Sequence, residues 1–332
     1  MSTAAGATLP PRWPLPRRAP DRPLLLGYHR SCPDGALAAA LLGERLRSEG
    51  SRFDLLPLDA GRAPAKKRAR GRDVVLLDLC PGASALGSLI EIAASVFVLD
   101  HHVASEPIAA AYPKHVFLAD GRCGALLCWQ MLHGDADVPE FVRIVDAVDH
   151  YRMDDPDIAA LSVLIRDART PPSALALAAR FTREREVVLG QARQAARNWR
   201  QRVAEYAKAA TPGWLQEVRV RAVELAARDG ALASDVGNAI AAVHGGVALV
   251  YRRAGGKVRH SLRSRPGHGP AVHEIAARFG GGGHRHAAGM ISDDLLHRSE
   301  DHPVGDAVAA ASKCASSRGK TSERQREPEN KP

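Results

Sequence analysis

The chain is poor in aromatic residues and cysteines, and it lacks any long apolar run. Only 5% of its 332 residues are aromatic, which disfavours an extended platform for stacking the bases of long nucleic acids. The five cysteines are odd in number and include no Cys-x-x-Cys pair, so reduced thiols are favoured over a disulfide framework. No segment reaches the roughly 18 apolar residues that span a bilayer, and the Pro/Arg-rich start lacks a signal-peptide core. We therefore expect a cytoplasmic protein with no membrane partner.

Positive charge is in excess. The chain has 46 Lys and Arg against 37 Asp and Glu, a formal net charge of +9, which favours a polyanionic partner. Part of this charge lies in a Pro/Arg-rich leader, 1–22, and in a polar tail, 296–332, which are both predicted to be disordered. The basic cluster at 66–72 precedes a predicted strand, and a solvated loop and a nucleic-acid contact explain it equally well.

Apolar runs alternate with helical patterns from residue 24 to about 133. Three runs predict buried strands, at Leu24–His29, Asp73–Asp78 and Ser95–Asp100. This alternation is typical of an α/β fold with a doubly wound, mostly parallel sheet and helices on both faces. Strand patterns at 218–225, 247–253 and 258–263 predict a smaller C-terminal α/β domain.

The domain boundaries follow from composition. We predict a first domain over 23–180, a helical linker over 181–212 and a second domain over 213–295. A long charged helix precedes Thr211-Pro212-Gly213, and this Pro-Gly pair is the preferred boundary.

Metal-capable side chains follow the predicted strands. Asp100-His101-His102 ends one strand, His29 and Asp34 follow another, and Asp78 ends the third. Because the carboxyl ends of parallel strands meet at one rim, these groups are expected to lie together. Aspartates and neutral imidazoles suit Mn²⁺.

A glycine run near the C-terminus is a candidate anion site. Gly280 to Gly283 precede His284 and expose backbone N–H groups that could cradle a phosphate. A helix pattern before the run and Ala287-Ala288-Gly289 after it disfavour a flexible linker.

Taken in order over residues 24 to 290, these motifs resemble the DHH phosphoesterase superfamily, in the branch with the DHH-associated C-terminal domain that includes nanoRNase and RecJ-like phosphoesterases. The resemblance implies that the first domain is the DHH metal-binding catalytic domain and that the smaller C-terminal domain binds substrate. It also implies two Mn²⁺ ions, with Mg²⁺ or Co²⁺ as substitutes. The implied metal ligands are His29, Asp34, Asp78, His101 and Asp146, with Asp149 in reserve.

Other roles accompany this ligand set. Asp78 is expected to bridge two ions. Asp100 is expected to orient a histidine, and His102 to contact a phosphate or to donate a proton to the leaving oxygen. The residues expected to bind a substrate phosphate are Arg263, Gly281, Gly282, Gly283 and His284.

One departure concerns the first motif. The family usually carries two aspartates there, whereas this chain has Asp34 alone, with Ser31, Cys32 and Pro33 before it. A related subset has a similar His…Cys-Pro-Asp-Gly motif, so activity is still expected. A missing carboxylate could nevertheless weaken one metal site.

The sequence therefore predicts a metal-dependent phosphodiesterase, an exonuclease or oligoribonuclease that degrades short single-stranded oligonucleotides held between the domains to mononucleotides. Enzymes acting on small nucleotides, such as 3′-phosphoadenosine 5′-phosphate or a cyclic dinucleotide, are the first alternative, and a polyphosphatase is the next. A catalytically weak nucleotide-binding protein is an alternative of a different class. The choice of RNA or DNA, the polarity and the oligomeric state stay open, and a homodimer is one option.

Overall fold

The computed structural model describes residues 9–13 and 22–300, and the chain divides into two compact units between Trp199 and Arg200. The strands of the first unit are β1 (Leu24–His29), β2 (Phe53–Leu58), β3 (Asp73–Leu77), β4 (Ser95–Asp100) and β5 (Val116–Leu118). Its helices are α1 (Pro33–Ser48), α2 (Lys66–Ala69), α3 (Ala83–Ile92), α4 (Glu106–Ala111), α5 (Gly124–His133), α6 (Glu140–Asp149), α7 (Pro156–Ile165), α8 (Pro171–Arg183) and the first part of α9 (Arg185–Ala209).

The five strands of the first unit form one parallel sheet in the order β2-β1-β3-β4-β5. The chain places β2 on one side of β1 and then returns to place β3 on the other side. The order of the strands therefore reverses between β1 and β3. In open α/β sheets, such a reversal leaves a crevice at the carboxyl ends of the two strands, where ligands bind.

Alternate residues of each strand pack against helices on opposite faces of this sheet. In β3, Val75 and Leu77 join the core formed with α1 and α5, whereas Val74 and Leu76 join the core formed with α2 and α3. The near-continuous apolar run of β3 is what a strand buried on both faces requires. The predicted α/β fold with helices on both faces is confirmed.

The second unit is built on a mixed sheet. Its strands are β6 (Thr211–Leu215), β7 (Val218–Glu224), β8 (Val247–Ala254), β9 (Lys257–Ser264), β10 (Gly282–His284), β11 (Ala287–Ser292) and β12 (His297–Ser299), and its further helices are α10 (Ala233–His244) and α11 (Val272–Ala277). The strand order is β10-β11-β9-β8-β7-β6-β12, and β7 and β8 form the parallel pair of this otherwise antiparallel sheet. The smaller C-terminal α/β domain is therefore present.

The boundary between the units differs from the predicted one. Helix α9 crosses it, and its first half buries Val188, Leu189, Ala192 and Ala196 in the core of the first unit. This narrow apolar stripe makes residues 185–199 a part of that unit rather than of a linker over 181–212. The expected boundary pair, Pro212-Gly213, lies inside strand β6.

Both predicted disordered ends contain ordered residues. Trp13 is buried in the core of the first unit and donates its backbone N–H to Met131 O at 2.9 Å. At the other end, the predicted polar tail contains strand β12, which pairs with β6. The remaining residues of both ends, 1–8, 14–21 and 301–332, lie outside the described residues. Among the residues described, no helix is both long and apolar enough to cross a bilayer.

Candidate metal centre

Side chains from three strand ends meet at the reversal of strand order. His29 ends β1, Asp78 follows β3, and His101 follows β4. Asp78 adopts a left-handed backbone conformation with φ of 60°, which aspartate tolerates better than most residues. Strand β3 therefore stops at Leu77, and the chain turns at the rim of the sheet.

Two carboxylates and two imidazoles lie within a few ångströms of one another. His101 Nε2 lies 3.1 Å from Asp78 Oδ1 and 3.7 Å from Asp34 Oδ2. His29 Nδ1 lies 3.4 Å from Asp78 Oδ2. Both carboxylates are almost fully buried. Together with His102 and Asp149, these residues are called the rim site below.

Two glycines make this approach possible. A Cβ atom on Gly35 would lie 2.9 Å from Asp78 Oδ2, and one on Gly124 would lie 2.8 Å from the Cβ of Asp78 and 3.0 Å from Asp34 Oδ2. Real Cβ atoms essentially never come closer than 3.0 Å. The carboxylates of Asp34 and Asp78 therefore occupy the space that a larger residue at position 35 or 124 would need.

Asp34 is held at the start of α5. Its two oxygens accept hydrogen bonds from the N–H groups of Gly124 and Ala125, each at 2.6 Å. Burial raises the pKa of Asp34, and the nearby charges of Asp78 and Asp149 raise it further. A carboxylate at a helix N-terminus is well positioned, but its ionised form in this site needs a positive charge nearby.

Asp78 and His101 form a hydrogen-bonded pair at the centre of the rim site. Burial favours the neutral acid, but the hydrogen bond from His101 and the close approach of the His29 ring outweigh it and hold the pKa of Asp78 well below its ordinary value. Burial also opposes the charged form of His101, and the bond to Asp78 with the charge of Asp34 outweighs it, which raises the pKa of His101 to about 9. The proton on His101 therefore serves as a counter-charge among the carboxylates, a role that a divalent cation can also fill.

Asp100 forms a second hydrogen-bonded cluster beside this pair, with His101, His102 and Ser105. Asp100 Oδ1 lies 2.7 Å from His102 Nδ1 and accepts the N–H of His101 at 2.9 Å, while its Oδ2 accepts the hydroxyl of Ser105 at 2.6 Å. The bond to Asp100 raises the pKa of His102. Asp100 is fully buried, whereas the His102 side chain is 45% exposed, so the ring has one edge fixed and another open to solvent.

The structure places Asp149, rather than Asp146, at the rim site. Asp149 Oδ2 lies 3.6 Å from His101 Nε2. Asp146 instead accepts the backbone N–H of Cys123 at 2.7 Å and pairs with Arg152. The oxygens of Asp146, the expected ligand, are therefore engaged by the polypeptide, and Asp149, the reserve residue, is the aspartate of α6 that faces His101.

The residues present fit a divalent cation. Within the described part of the chain, three groups could each hold an ion: His29 with Asp78 and His102, Asp34 with Asp78 and His101, and His101 with Asp149 and His150. His29 Nδ1 and Asp78 Oδ2 are buried without a hydrogen-bond partner in the described residues. Asp78 belongs to two of the groups, as a bridging carboxylate must.

His150 is the residue that the sequence analysis missed. It follows Asp149 at the end of α6, just as His101 follows Asp100 at the end of β4. This repeated Asp-His pair at the end of an element was the available signal.

The second unit brings Arg263 and His284 to one face of its sheet. Arg263 pairs with Ala287 across β9 and β11, and Ala287 pairs with His284 across β11 and β10. Directly paired residues share a face, so the two side chains are about two strand spacings, roughly 10 Å, apart. Ser234 Oγ lies 2.7 Å from the Arg263 guanidinium and orients it.

Of the four glycines in the run, Gly281 and Gly283 are tightly packed, whereas Gly280 and Gly282 have open Cβ positions. A Cβ on Gly281 would lie 2.3 Å from Gly289 O, and one on Gly283 would lie 2.5 Å from Ala287 O, so both residues are required by close packing of β10 on β11. No atom lies within 4 Å of the Cβ position of Gly282. The run is thus part of an ordered sheet edge, and not a linker.

No protein-family model matches the chain, and no curated protein is significantly similar to it in sequence. Solved structures with a similar fold include the pGpG-specific phosphodiesterase PggH of Vibrio cholerae (15% identity, 90% of this chain, 98% of that chain, TM-score 0.49). Others are the DHH domain of a protein described as a member of a family of ribosomal proteins (14%, 89%, 86%, 0.49) and the exonuclease RecJ bound to manganese (15%, 81%, 85%, 0.45).

These structures include a DHH domain, the family that the sequence motifs resemble. At identities of 15% or less, each of these likenesses is one of fold.

Proposed function

We propose that this chain is a divalent-metal-dependent phosphoesterase of the DHH superfamily that hydrolyses short single-stranded oligonucleotides to mononucleotides. The observation that carries the proposal is the position of Asp78. It is a buried carboxylate, shared by two groups of metal-capable side chains, at the reversal of strand order in a parallel sheet. Two cations held by one carboxylate are the arrangement used for in-line displacement at phosphorus.

The expected cations are two Mn²⁺ ions, with Mg²⁺ or Co²⁺ as substitutes. They would be held by His29, Asp34, Asp78, His101 and Asp149, and when bound they activate a water molecule and neutralise phosphoryl charge. The proposed ligands are held in place before substrate binds. The Asp34 carboxylate is bonded to a backbone N–H group, and the Asp78 carboxylate is bonded to the His101 imidazole.

Asp100 and His102 are proposed to handle the leaving group. The carboxylate of Asp100 can only accept, so when His102 is bonded to it the Nδ1 atom is the donor. The other ring nitrogen then contacts a phosphate or gives a proton to the leaving oxygen. The bond to Asp100 orients the ring and raises the pKa of His102, which favours the charged form that can do either.

Arg263 and His284, with the N–H groups of Gly281, Gly282 and Gly283, are proposed to bind a second phosphate of the substrate. A guanidinium fixed by Ser234 and an exposed imidazole on the same sheet face suit a terminal phosphate. The few aromatic residues favour short substrates over long ones.

A catalytically weak nucleotide-binding protein is the second candidate, and Cys32 favours it. Members of the DHH superfamily usually carry a second aspartate in the first motif, and Cys32 lies in the corresponding stretch of this chain. Burial raises the pKa of the Cys32 thiol. The metal-free thiol therefore carries no charge at neutral pH, whereas an exposed aspartate in its place would carry one. Metal content separates the two candidates, because the enzyme is expected to bind two ions per chain and the weak binder one or none.

The decisive experiment is a hydrolysis panel with Mn²⁺. The substrates are dinucleotides, longer RNA and DNA strands, 3′-phosphoadenosine 5′-phosphate, cyclic dinucleotides and polyphosphate. We expect the dinucleotides and other short strands to be the best substrates. Asp78→Asn is the matched inactive variant, since asparagine also tolerates the left-handed backbone at this position. Turnover of Asp78→Asn at the wild-type rate and saturating Mn²⁺ would contradict the proposal.

A further inference from the structure

His150 lies beside the rim site and has no role in the reaction proposed above. It follows Asp149 directly, and its ring centroid lies 5.7 Å from that of His101. One ligand atom from each of these three residues lies within 4.8 Å of the other two. Two imidazoles and a carboxylate at this spacing form a donor set for a divalent cation.

A backbone carbonyl orients the His150 ring. Its Nδ1 atom lies 2.9 Å from Asp146 O, and because a carbonyl only accepts, Nδ1 carries the proton in this bond. The lone pair is then on Nε2, which is the ring nitrogen left free to bind a metal. The Asp146 carboxylate lies 3.5 Å from the same Nδ1 atom. A carbonyl and a carboxylate behind the ring are the outer partners that orient metal-binding histidines.

The Asp146 side chain is itself held firmly. Its carboxylate accepts the N–H of Cys123, the residue before helix α5, and pairs with Arg152. The orienting groups behind His150 are therefore tied to α5 as well as to α6. In this arrangement, Asp146 orients the His150 ring and need not bind the cation itself.

We propose that His150 Nε2 is a ligand of the cation held by His101 and Asp149. This inference rests on the proposed function, because it assigns a further ligand to the same metal centre. Nitrogen donors favour later transition metals such as Co²⁺, whereas oxygen donors suit Mg²⁺ and Mn²⁺. With two imidazoles, this position should prefer Co²⁺ over Mn²⁺ more strongly than a position with one.

The test uses the full chain after removal of metal. Binding of Mn²⁺ and Co²⁺ is measured by calorimetry, and nitrogen coupling to bound Mn²⁺ is measured by pulsed electron paramagnetic resonance. His150→Ala should weaken the binding of one of the two Mn²⁺ ions at least about tenfold. It should also remove the nitrogen coupling that comes from one imidazole. His150→Asp should restore Mn²⁺ affinity but reduce the preference for Co²⁺.

His115→Ala is the matched control. His115 also lies in the first unit and also directs Nδ1 at a backbone carbonyl, Val96 O at 3.1 Å, but it belongs to none of the metal-capable groups of the described residues. It should bind both ions as the wild type does.

Two Mn²⁺ ions bound with unchanged affinity and unchanged nitrogen coupling in His150→Ala would overturn the inference and leave the proposed metal centre standing. Absence of Mn²⁺ binding in the wild type would overturn the proposed function itself and the inference with it. If circular dichroism shows that His150→Ala does not fold, His150→Asp decides: a reduced Co²⁺ preference supports the inference, and an unchanged one overturns it.

Discussion

At the scale of single residues, Asp146 and Asp149 show how the same side chain takes two different roles on one helix. Asp146 makes its bonds to the polypeptide, through Cys123 N–H and Arg152, whereas Asp149 faces His101. Burial raises the pKa of Asp149, and the charge of Asp78 adds to the effect of burial. The ionised form of Asp149 therefore costs stability until a cation is bound.

Exchanging each aspartate for asparagine should have opposite effects. We expect Asp146→Asn to lower the free energy of unfolding by about 1 kcal/mol or more, because the amide weakens its charge-assisted bonds. Asp149→Asn should raise the free energy of unfolding of the metal-free protein and weaken Mn²⁺ binding at least about tenfold. Urea denaturation without metal and calorimetry with Mn²⁺ measure the two effects. Weaker Mn²⁺ binding in Asp146→Asn than in Asp149→Asn would contradict the geometry.

The sequence could not choose between these two residues. They are three positions apart on α6 and so lie on neighbouring parts of one helical face. The choice depends on Cys123 and Arg152, which reach Asp146 from outside the helix. By contrast, His29, Asp34, Asp78 and His101 could be brought together from the sequence, because each stands at or just after the carboxyl end of an apolar run.

At the scale of elements, the buried strands were predictable and the peripheral ones were not. Strands β1, β3 and β4 have apolar runs that are buried on both sheet faces. Strand β2 carries Asp54 and Pro57 and is only partly buried, as suits the edge of a sheet. Strands β10 and β12 have three residues each, and their pairing with distant strands is what defines them.

Strands β9 and β12 each place a histidine beside Tyr251: His260, which is buried, and His297, which is half-buried. The Tyr251 ring lies 6.3 Å from that of His260 and 5.9 Å from that of His297. Burial lowers the pKa of both histidines below the ordinary value of 6.5. A lowered histidine pKa means that the folded state binds the proton more weakly than the unfolded chain does.

The second unit should therefore be most stable above pH 6.5 and should lose stability as the pH falls through the lower pKa values of His260 and His297. The measurement is urea denaturation at pH 8 and at pH 5.5. His260→Leu should reduce the loss between the two pH values, whereas His268→Ala, a change at an exposed position of the same unit, should not. An equal loss in the wild type and His260→Leu would show that burial of this ring is not the cause.

At the scale of the whole molecule, the metal-capable groups of the described residues all lie in the first unit, and the proposed phosphate-binding residues lie in the second. In the proposed function, the chemistry and part of the substrate recognition therefore belong to different units. Substitutions of the proposed phosphate-binding residues should therefore change kcat/KM but leave the number of bound metal ions unchanged.

Arg263→Ala or His284→Ala should lower kcat/KM roughly tenfold to hundredfold, about 1.5–3 kcal/mol for one charge-assisted contact. The loss should be largest for dinucleotides, which have few other contacts, and turnover can fall with binding because a distant phosphate helps to position the reacting one. Steady-state kinetics on a dinucleotide and a longer strand measure the effect, and calorimetry should show unchanged Mn²⁺ binding.

Arg259→Ala is the matched control for this prediction. Arg259 is exposed on β9, four residues from Arg263 and so on the same sheet face. It should keep wild-type kinetics. Equal losses in the two arginine variants would indicate a general effect of positive charge, and no loss in either Arg263→Ala or His284→Ala would exclude a phosphate site on this face.

The close approach of Gly35 and Gly124 to the carboxylates has a consequence for how such chains are recognised. One added methyl group at either glycine would displace Asp78 or Asp34, while every metal-binding letter of the motifs would still be present in the sequence. A homologue with alanine at one of these positions would therefore keep every proposed metal ligand in its sequence. Its carboxylates would nevertheless be displaced from the positions described here. Inspection of the two small residues should accompany inspection of the aspartates and histidines whenever activity is inferred from sequence.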